Sequence, residues 1–173
     1  MVANTVASRK GKARKLQNFV TKNLQEIFET DDNDIKSVPM GVSGIDVWVS
    51  NCIRDKHPYG YECKCQEKLS FWGAMKQCVI NAEDESLIPI LVFKKNYRLP
   101  HVMIRYDDID LEGLNIVYEI ESKKLNVWSL IDEYIKECED CIVITRGDDK
   151  YAVISCLNWF DRVKECERQI YIL

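Results

Sequence analysis

An almost entirely apolar run, Ile88-Pro89-Ile90-Leu91-Val92-Phe93, is the feature that most limits how this chain of 173 residues can fold. A strand that is apolar on both faces has to be covered on both faces, as the central strands of α/β proteins are. Pro89 lacks the backbone N–H that a central strand needs, so we expect it at the very start of the strand. The run therefore predicts a sheet with helices on either side.

Apolar residues at helical spacing predict helices over about residues 13–29 and 70–82. Short apolar or alternating stretches predict the strands, and residues 51–60 are predicted to form a loop. In chain order the first part is helix, three strands, helix and two strands. The predicted fold class is α/β, with a mixed sheet flanked by helices. The predicted strands of this part cover residues 35–38, 45–49, 61–66, 88–93 and 101–106.

Charge is distributed unevenly along the chain, although the net charge is only −4. Residues 1–106 hold 16 Lys/Arg and 12 Asp/Glu, or +4, whereas residues 107–173 hold 8 and 16, or −8. Such asymmetry indicates a part that binds a polyanion and a separate acidic part. Five of the seven residues 9–15 are basic. We expect them at the N-terminal end of the first helix, which favours phosphate oxygens, although a basic terminus can also be only a solvated tail.

The acidic part has the outline of a partial copy of the first part. Tyr118-Glu119 precedes a predicted helix, strand, charged turn and strand, as Tyr61-Glu62 does. The match needs a gap of one residue, and a shared pattern without duplication is an equal alternative. We divide the chain into a core over residues 8–106 and an acidic C-terminal α/β extension over residues 107–173. Glu121 stands where the copy would need a lysine, so we expect no catalytic role for the extension.

Three polar residues share one face of the strand predicted at residues 61–66. Glu62, Lys64 and Gln66 alternate with Cys63 and Cys65, which face the opposite side. Asp46 lies 16 residues before Glu62, after a turn with two glycines. Carboxylates that hold a hard divalent cation, together with a lysine, are the minimal set for a metal-dependent nuclease. The alternative is an ion pair between Asp46 and Lys64 that serves only the fold.

The spacing of Asp46 and Glu62-Cys63-Lys64 resembles that of the PD-(D/E)xK nuclease superfamily. More closely, four sequence blocks in order resemble small phage proteins described as Holliday junction resolvases, over roughly residues 8–106. The resemblance implies a restriction-endonuclease-like core, two Mg²⁺ or Mn²⁺ ions, and a homodimer that cuts branched or duplex DNA in recombination and repair. The four blocks are Lys12-Ala13-Arg14-Lys15-Leu16-Gln17, residues 40–46, residues 62–69 and Trp72.

The resemblance also implies roles for single residues. Asp46 and Glu62 would bind the metal with the backbone carbonyl of Cys63, and Lys64 would act on the attacking water and on the charge at phosphorus. Gln66 would hold Lys64 or contact the scissile phosphate. Ser43 could donate to a phosphate, although a turn residue is the more common role for it. The residues expected to contact DNA are Arg9, Lys10, Lys12, Arg14, Lys15 and Lys68.

One departure from the family concerns the first helix. Related archaeal resolvases carry a glutamate there as a further metal ligand, whereas the matching residue in this chain is Gln17. A glutamine cannot supply the negative charge, so we expect altered metal binding. Two other functions therefore stand beside a junction resolvase: a nuclease-like DNA-binding or assembly subunit that does not cleave, and a flap or nicking endonuclease.

The sequence also predicts the cellular compartment and the state of the cysteines. No apolar run approaches the roughly 20 residues needed to cross a bilayer, and no apolar segment of a secretory signal follows the basic N-terminal residues. We expect a cytoplasmic protein, in the host cell if a phage encodes it, with reduced thiols. Cys138 and Cys141 have the spacing of a zinc-binding pair, but a second close pair is missing from the sequence. We therefore interpret them as core and surface cysteines.

Overall fold

The computed structural model describes residues 6–121 and 126–170, and there the chain forms one mixed sheet flanked by helices. This confirms the predicted α/β class. The helices are α1 (Val6–Ile27), α2 (Asn51–Arg54), α3 (Phe71–Glu83), α4 (Val127–Tyr134) and α5 (Cys156–Ile170). The strands are β1 (Ile35–Ser37), β2 (Val47–Val49), β3 (Tyr59–Cys65), β4 (Ile88–Lys94), β5 (His101–Arg105), β6 (Asn115–Glu121), β7 (Asp140–Arg146) and β8 (Asp149–Ser155).

The sheet has eight strands in the order β1-β2-β3-β4-β5-β8-β7-β6. β3 pairs with β4 in parallel through the α3 crossover, and β6 pairs with β7 in parallel through the α4 crossover. All other neighbouring strands are antiparallel, including β5 and β8. The β5–β8 pair joins the two parts of the chain, so the sheet runs without interruption across the boundary predicted near residue 106.

The order strand, helix, strand, strand occurs on both sides of the β5–β8 pair. Paired residues form one row across the sheet with Met103 and Val153 at its centre; from end to end it runs Glu62, Leu91, Met103, Val153, Ile142, Tyr118. The position equivalent to Glu62 is therefore Tyr118, not Glu119 as the sequence match suggested. A register shift in β6 between Ile116 and Tyr118 contributes to this pairing, because without it Val117 would pair with Ile142.

Two apolar cores lie on opposite faces of the sheet. On one face, α1 and α5 pack on Ile90 and Val92 of β4; on the other, α3 and α4 pack on Leu91 and Phe93. All four β4 residues are fully buried, as predicted for a strand covered on both faces. Pro89 is the second residue of the strand. The covering helices thus follow directly from the apolar run.

Two local predictions differ from the structure. The first helix begins at Val6 instead of near residue 13, so the basic residues 9–15 lie within α1 and not at its N-terminal end. Alanine, lysine and arginine are good helix formers, which explains the longer helix. The loop predicted at residues 51–60 contains α2 and the first residues of β3.

Among the described residues, no helix has both the length and the apolar character to span a membrane.

Candidate active site

A groove of about 660 Å³ lies at the C-terminal end of β3. The N-terminal half of α1, the segment before β2, and β3 with the residues that follow it form its walls. These elements bring together most of the residues singled out from the sequence. The predicted residues that line the groove are Arg9, Lys10, Lys12, Gln17, Asp46, Glu62, Cys63, Lys64, Gln66 and Lys68.

Glu62 and Lys64 lie on the face of β3 that is covered by α3, whereas Cys63 and Cys65 pack into the core below α1. Glu62 is only 4% exposed and forms an ion pair with the Lys64 amine. Asn81 of α3 donates a hydrogen bond to the second Glu62 oxygen at 2.9 Å. The carboxylate is therefore fixed in direction before any ligand binds.

Asp46 is held by the backbone at the start of β2. Its N–H donates to the carbonyl of Tyr61 at 2.8 Å, and its carbonyl accepts from the N–H of Val38 at 2.9 Å. The side chain accepts two hydrogen bonds, from Gln17 Nε2 at 2.5 Å and from the Cys63 N–H at 2.7 Å. These contacts direct the carboxylate into the groove, next to β3.

Burial, followed by the negative charge of Glu62, raises the pKa of the Asp46 carboxyl above its usual value. The hydrogen bonds from Cys63 and Gln17 and the charge of Lys64 act in the opposite direction. Two carboxylates thus share a buried site in which the negative charge on Asp46 is unfavourable. A divalent cation between them would offset that charge.

The groups around Asp46 fit a hard cation. Gln17 is 3% exposed, and its side-chain carbonyl oxygen is buried without a hydrogen-bond partner. Carboxylate and amide oxygens are the ligands that Mg²⁺ and Mn²⁺ prefer. No cluster of three or more His, Cys, Asp or Glu that could hold a metal occurs in the part of the chain that the structure describes. The two acidic ligands would need backbone oxygens, water or a phosphate to complete a coordination shell.

Three predicted residues lie outside the groove. Ser43 is exposed in the turn before Asp46 and does not line the groove. Arg14 instead donates a hydrogen bond to the backbone carbonyl of Val38 at 3.0 Å, which fastens α1 to the segment after β1. Lys15 lines an adjacent groove. Arg14 therefore has a structural role in addition to any contact with DNA.

Two residues of the site were missed in the sequence. Asn81 contacts Glu62 and also donates to the Gly44 carbonyl at 2.9 Å, and Gln77 accepts a hydrogen bond from Lys64 at 3.1 Å. Both lie on α3, four residues apart, which places them on one side of the helix. A pair of amides at this spacing beside the apolar stripe was the available signal.

Comparison of the chain with protein-family models, curated proteins and solved structures finds no match. Function therefore has to be argued from the groove itself. What the fold and site define is an α/β protein with two adjacent carboxylates and a lysine in a groove bordered by basic side chains.

Proposed function

We propose that this protein is a divalent-metal-dependent DNA endonuclease with a restriction-endonuclease-like core, and that it resolves Holliday junctions. The observation that carries the proposal is the placement of Asp46, Glu62 and Lys64 together in one groove. Lysines and arginines of α1 and of the segment after β3 border the same groove. A basic border attracts the phosphate backbone, and the carboxylates supply the sites for Mg²⁺ or Mn²⁺.

Each residue has a distinct task in phosphodiester hydrolysis. Asp46 and Glu62 would hold the ion, with the Cys63 carbonyl as a further oxygen ligand, and Asn81 keeps Glu62 in position. The bound ion supplies a Lewis acid and lowers the pKa of a water molecule. Lys64 is paired with Glu62. Its amine would orient the water or stabilise negative charge that develops on the phosphate.

Gln66 and the basic residues bind the substrate. Gln66 is exposed on the groove wall, two residues beyond Lys64, where it can contact the scissile phosphate. Arg9, Lys10, Lys12 and Lys68 border the groove and would contact neighbouring phosphates. Resolution of a four-way junction requires two cuts in opposing strands. We therefore propose a homodimer with one such groove in each subunit.

A second candidate function is DNA binding without cleavage. It is favoured by Gln17, which offers a neutral amide where a third carboxylate would complete the acidic set. A flap or nicking endonuclease is a variant of the first proposal with the same chemistry. These functions differ in which DNA is bound and in whether it is cut.

One experiment separates the three functions. Purified protein is incubated with a four-way junction, a flap, linear duplex and single-stranded DNA, in Mg²⁺, in Mn²⁺ and in chelator. The resolvase proposal expects metal-dependent, paired cuts in the junction. Binding without cutting at every metal concentration supports the non-cleaving alternative, and preferential cutting of the flap supports the other endonuclease.

Variants test the assignment of the site. Asp46→Asn, Glu62→Gln and Lys64→Ala are each expected to lower the cleavage rate by about 100-fold or more while junction binding is retained. Glu119→Gln is a matched control, because Glu119 is an exposed glutamate on the far edge strand. Full activity in all three site variants would show that catalysis occurs elsewhere.

A further inference from the structure

We infer that the turn between β4 and β5, residues 95–100, presents Tyr97 as a stacking platform for an unstacked base at a branch in DNA. The inference rests on the proposed function and narrows its substrate class. It assigns the protein to DNA whose bases are unstacked at a branch, in preference to continuous duplex.

Tyr97 is unusual in both exposure and backbone conformation. Its side chain is 98% exposed, and its φ of 59° lies in the left-handed region that bulky residues rarely adopt. An aromatic ring outside the core contributes little to folding, and the backbone conformation is unfavourable. Positions of this kind concentrate at functional sites, where the strain is part of the design.

The turn that carries Tyr97 is fastened on three sides. On the β3 side, Asn96 N–H donates to Glu67 at 2.9 Å. On the α4 side, Arg98 donates to Asp132 at 3.0 Å. At the end of the turn, the Cys156 N–H donates to the Pro100 carbonyl at 3.0 Å. A fixed turn holds the backbone of Tyr97 in place before binding, which lowers the backbone entropy lost when a base stacks on the ring.

A second groove connects Tyr97 with the candidate active site. It measures about 370 Å³ and is bordered by four lysines, with no acidic residue among its lining residues. Lys12, Cys65 and Asn96 line both this groove and the groove of Asp46 and Glu62. A strand held at the carboxylates can therefore continue along Lys12 to Tyr97. The four lysines are Lys12, Lys15, Lys94 and Lys95.

The chemistry of this surface favours nucleic acid as the occupant. Surfaces that bind a nucleic-acid strand combine lysines, which neutralise its phosphates, with aromatic rings, on which its bases stack. Leu99 and Leu157 also line the groove and are 65% and 48% exposed, which extends the apolar platform around the ring. Bases within continuous duplex are already stacked on each other. A branch exposes the faces of its terminal bases, so Tyr97 would contribute to binding mainly there.

The test measures binding without cleavage. Fluorescence anisotropy is recorded in chelator with a four-way junction and with linear duplex, and 2-aminopurine placed at the branch reports stacking. Tyr97→Ala is expected to weaken junction binding by about fivefold or more, in line with the loss of one base–aromatic stack. Duplex binding should change less than about twofold, and the 2-aminopurine quenching should be lost. Tyr97→Phe should behave like the wild type, because stacking needs only the ring.

Two control variants sharpen the result. Ile116→Ala removes another exposed apolar side chain, on the far edge strand, and should change neither binding constant. Lys94→Ala should weaken junction and duplex binding alike and reduce the salt dependence by about one charge. Equal binding of the junction by the Tyr97→Ala and wild-type proteins would overturn the inference.

The outcomes separate this inference from the proposed function. If the wild type cuts the junction in Mg²⁺ but Tyr97→Ala binds and quenches like the wild type, the inference fails and the nuclease stands. If no DNA is cut in any metal but Tyr97→Ala loses junction binding and quenching, the inference stands and the nuclease fails. If the wild type binds no nucleic acid, both are overturned.

Discussion

Gln17 donates a hydrogen bond to Asp46 at 2.5 Å, while its own side-chain carbonyl oxygen is buried without a partner. Leaving a buried acceptor unsatisfied costs about 1–3 kcal/mol. Turning the amide around would direct that oxygen at the Asp46 carboxylate, which is favourable only with a proton or a cation between them. If the site binds a metal ion as proposed, the Gln17–Asp46 pair is the part of it that should respond most.

Gln17→Glu should make the protein more dependent on metal. A third carboxylate beside Asp46 and Glu62 is expected to cost about 1–3 kcal/mol of folding stability at pH 8 in chelator, because buried like charges repel. Mn²⁺ should then raise the melting temperature of this variant more than that of the wild type. Thermal melts with and without Mn²⁺ measure both effects.

Asn18→Asp provides the matched control, because it adds a carboxylate to an exposed position of the same helix. Mn²⁺ should raise the melting temperature of this variant by about as much as that of the wild type. The same Mn²⁺ shift in the wild type, Gln17→Glu and Asn18→Asp would contradict metal binding at Asp46.

Asp46→Asn should be at least as stable as the wild type at neutral pH without metal. Burial and then the charge of Glu62 raise the pKa of Asp46, so the folded state holds this proton more tightly than the unfolded state. The resulting cost is absent below the unfolded pKa and fully present above the folded pKa, so it grows as pH rises between them. Asparagine removes that cost, and its amide N–H can donate to the Gln17 oxygen.

Chemical denaturation of both proteins at pH 8 and at pH 4.5 tests this sign. In chelator at pH 8, the free energy of unfolding of Asp46→Asn should exceed that of the wild type by about 1 kcal/mol, the size of a typical single-residue effect. The difference should shrink at pH 4.5. A variant that is less stable than the wild type, by the same amount at both pH values, would contradict a raised pKa.

Local signals in the sequence were enough to predict the central strand and the two faces of β3. Burial on both faces leaves β4 without polar residues, and strict alternation separates Glu62 from Cys63. Both signals arise within a few residues, so no tertiary information is needed. The position of Asp46 beside the Cys63 N–H follows from how β2 and β3 pair, and a short glycine turn restricts that pairing.

Features that depend on distant parts of the chain could not be predicted. The register shift in β6 changes which residue is equivalent to Glu62, and the sequence contains no local mark of it. Asn81 and Gln77 reach β3 only because α3 crosses over that face of the sheet. The pinned turn around Tyr97 likewise depends on Glu67 and Asp132, from two other elements.

Two buried histidines should make the protein less stable in mild acid. Burial lowers the pKa of His57 to about 3 and that of His101 to about 4. The unfolded chain takes up these protons near pH 6.5 while the folded protein does not, so stability is fully present above pH 6.5 and is lost as pH falls toward 4. At pH 5 the loss is about 2 kcal/mol for each histidine.

Urea denaturation at pH 7.5 and pH 5 measures that loss. His57→Gln keeps a polar group near Tyr61, whose hydroxyl lies 2.6 Å from His57 Nε2, and removes one of the two titrations. The drop in stability between the two pH values should then be about half that of the wild type. Identical drops would show that His57 does not titrate differently on unfolding.

Residues 1–108 alone should not form a stable domain, although the predicted core ends near residue 106. In the whole protein β5 pairs with β8. Val102 and Ile104 of β5 are fully buried on the face of the sheet that α5 covers. Trp159 of α5 also donates a hydrogen bond to the Tyr61 hydroxyl at 3.0 Å, across 98 residues of sequence. Without residues 109–173, an apolar edge strand and the α5-facing side of α1 would be exposed to water.

The fragment is expected to bind a hydrophobic dye and to unfold without a cooperative transition, as judged by circular dichroism. Full-length Trp159→Phe is the control: it removes only the hydrogen bond and part of the ring contact. This variant should lose about 1–3 kcal/mol of folding stability and still unfold cooperatively, because Tyr61 remains buried with His57 as its partner. A fragment that melts cooperatively, near the temperature of the whole protein, would show that residues 109–173 are an addition to a self-sufficient core.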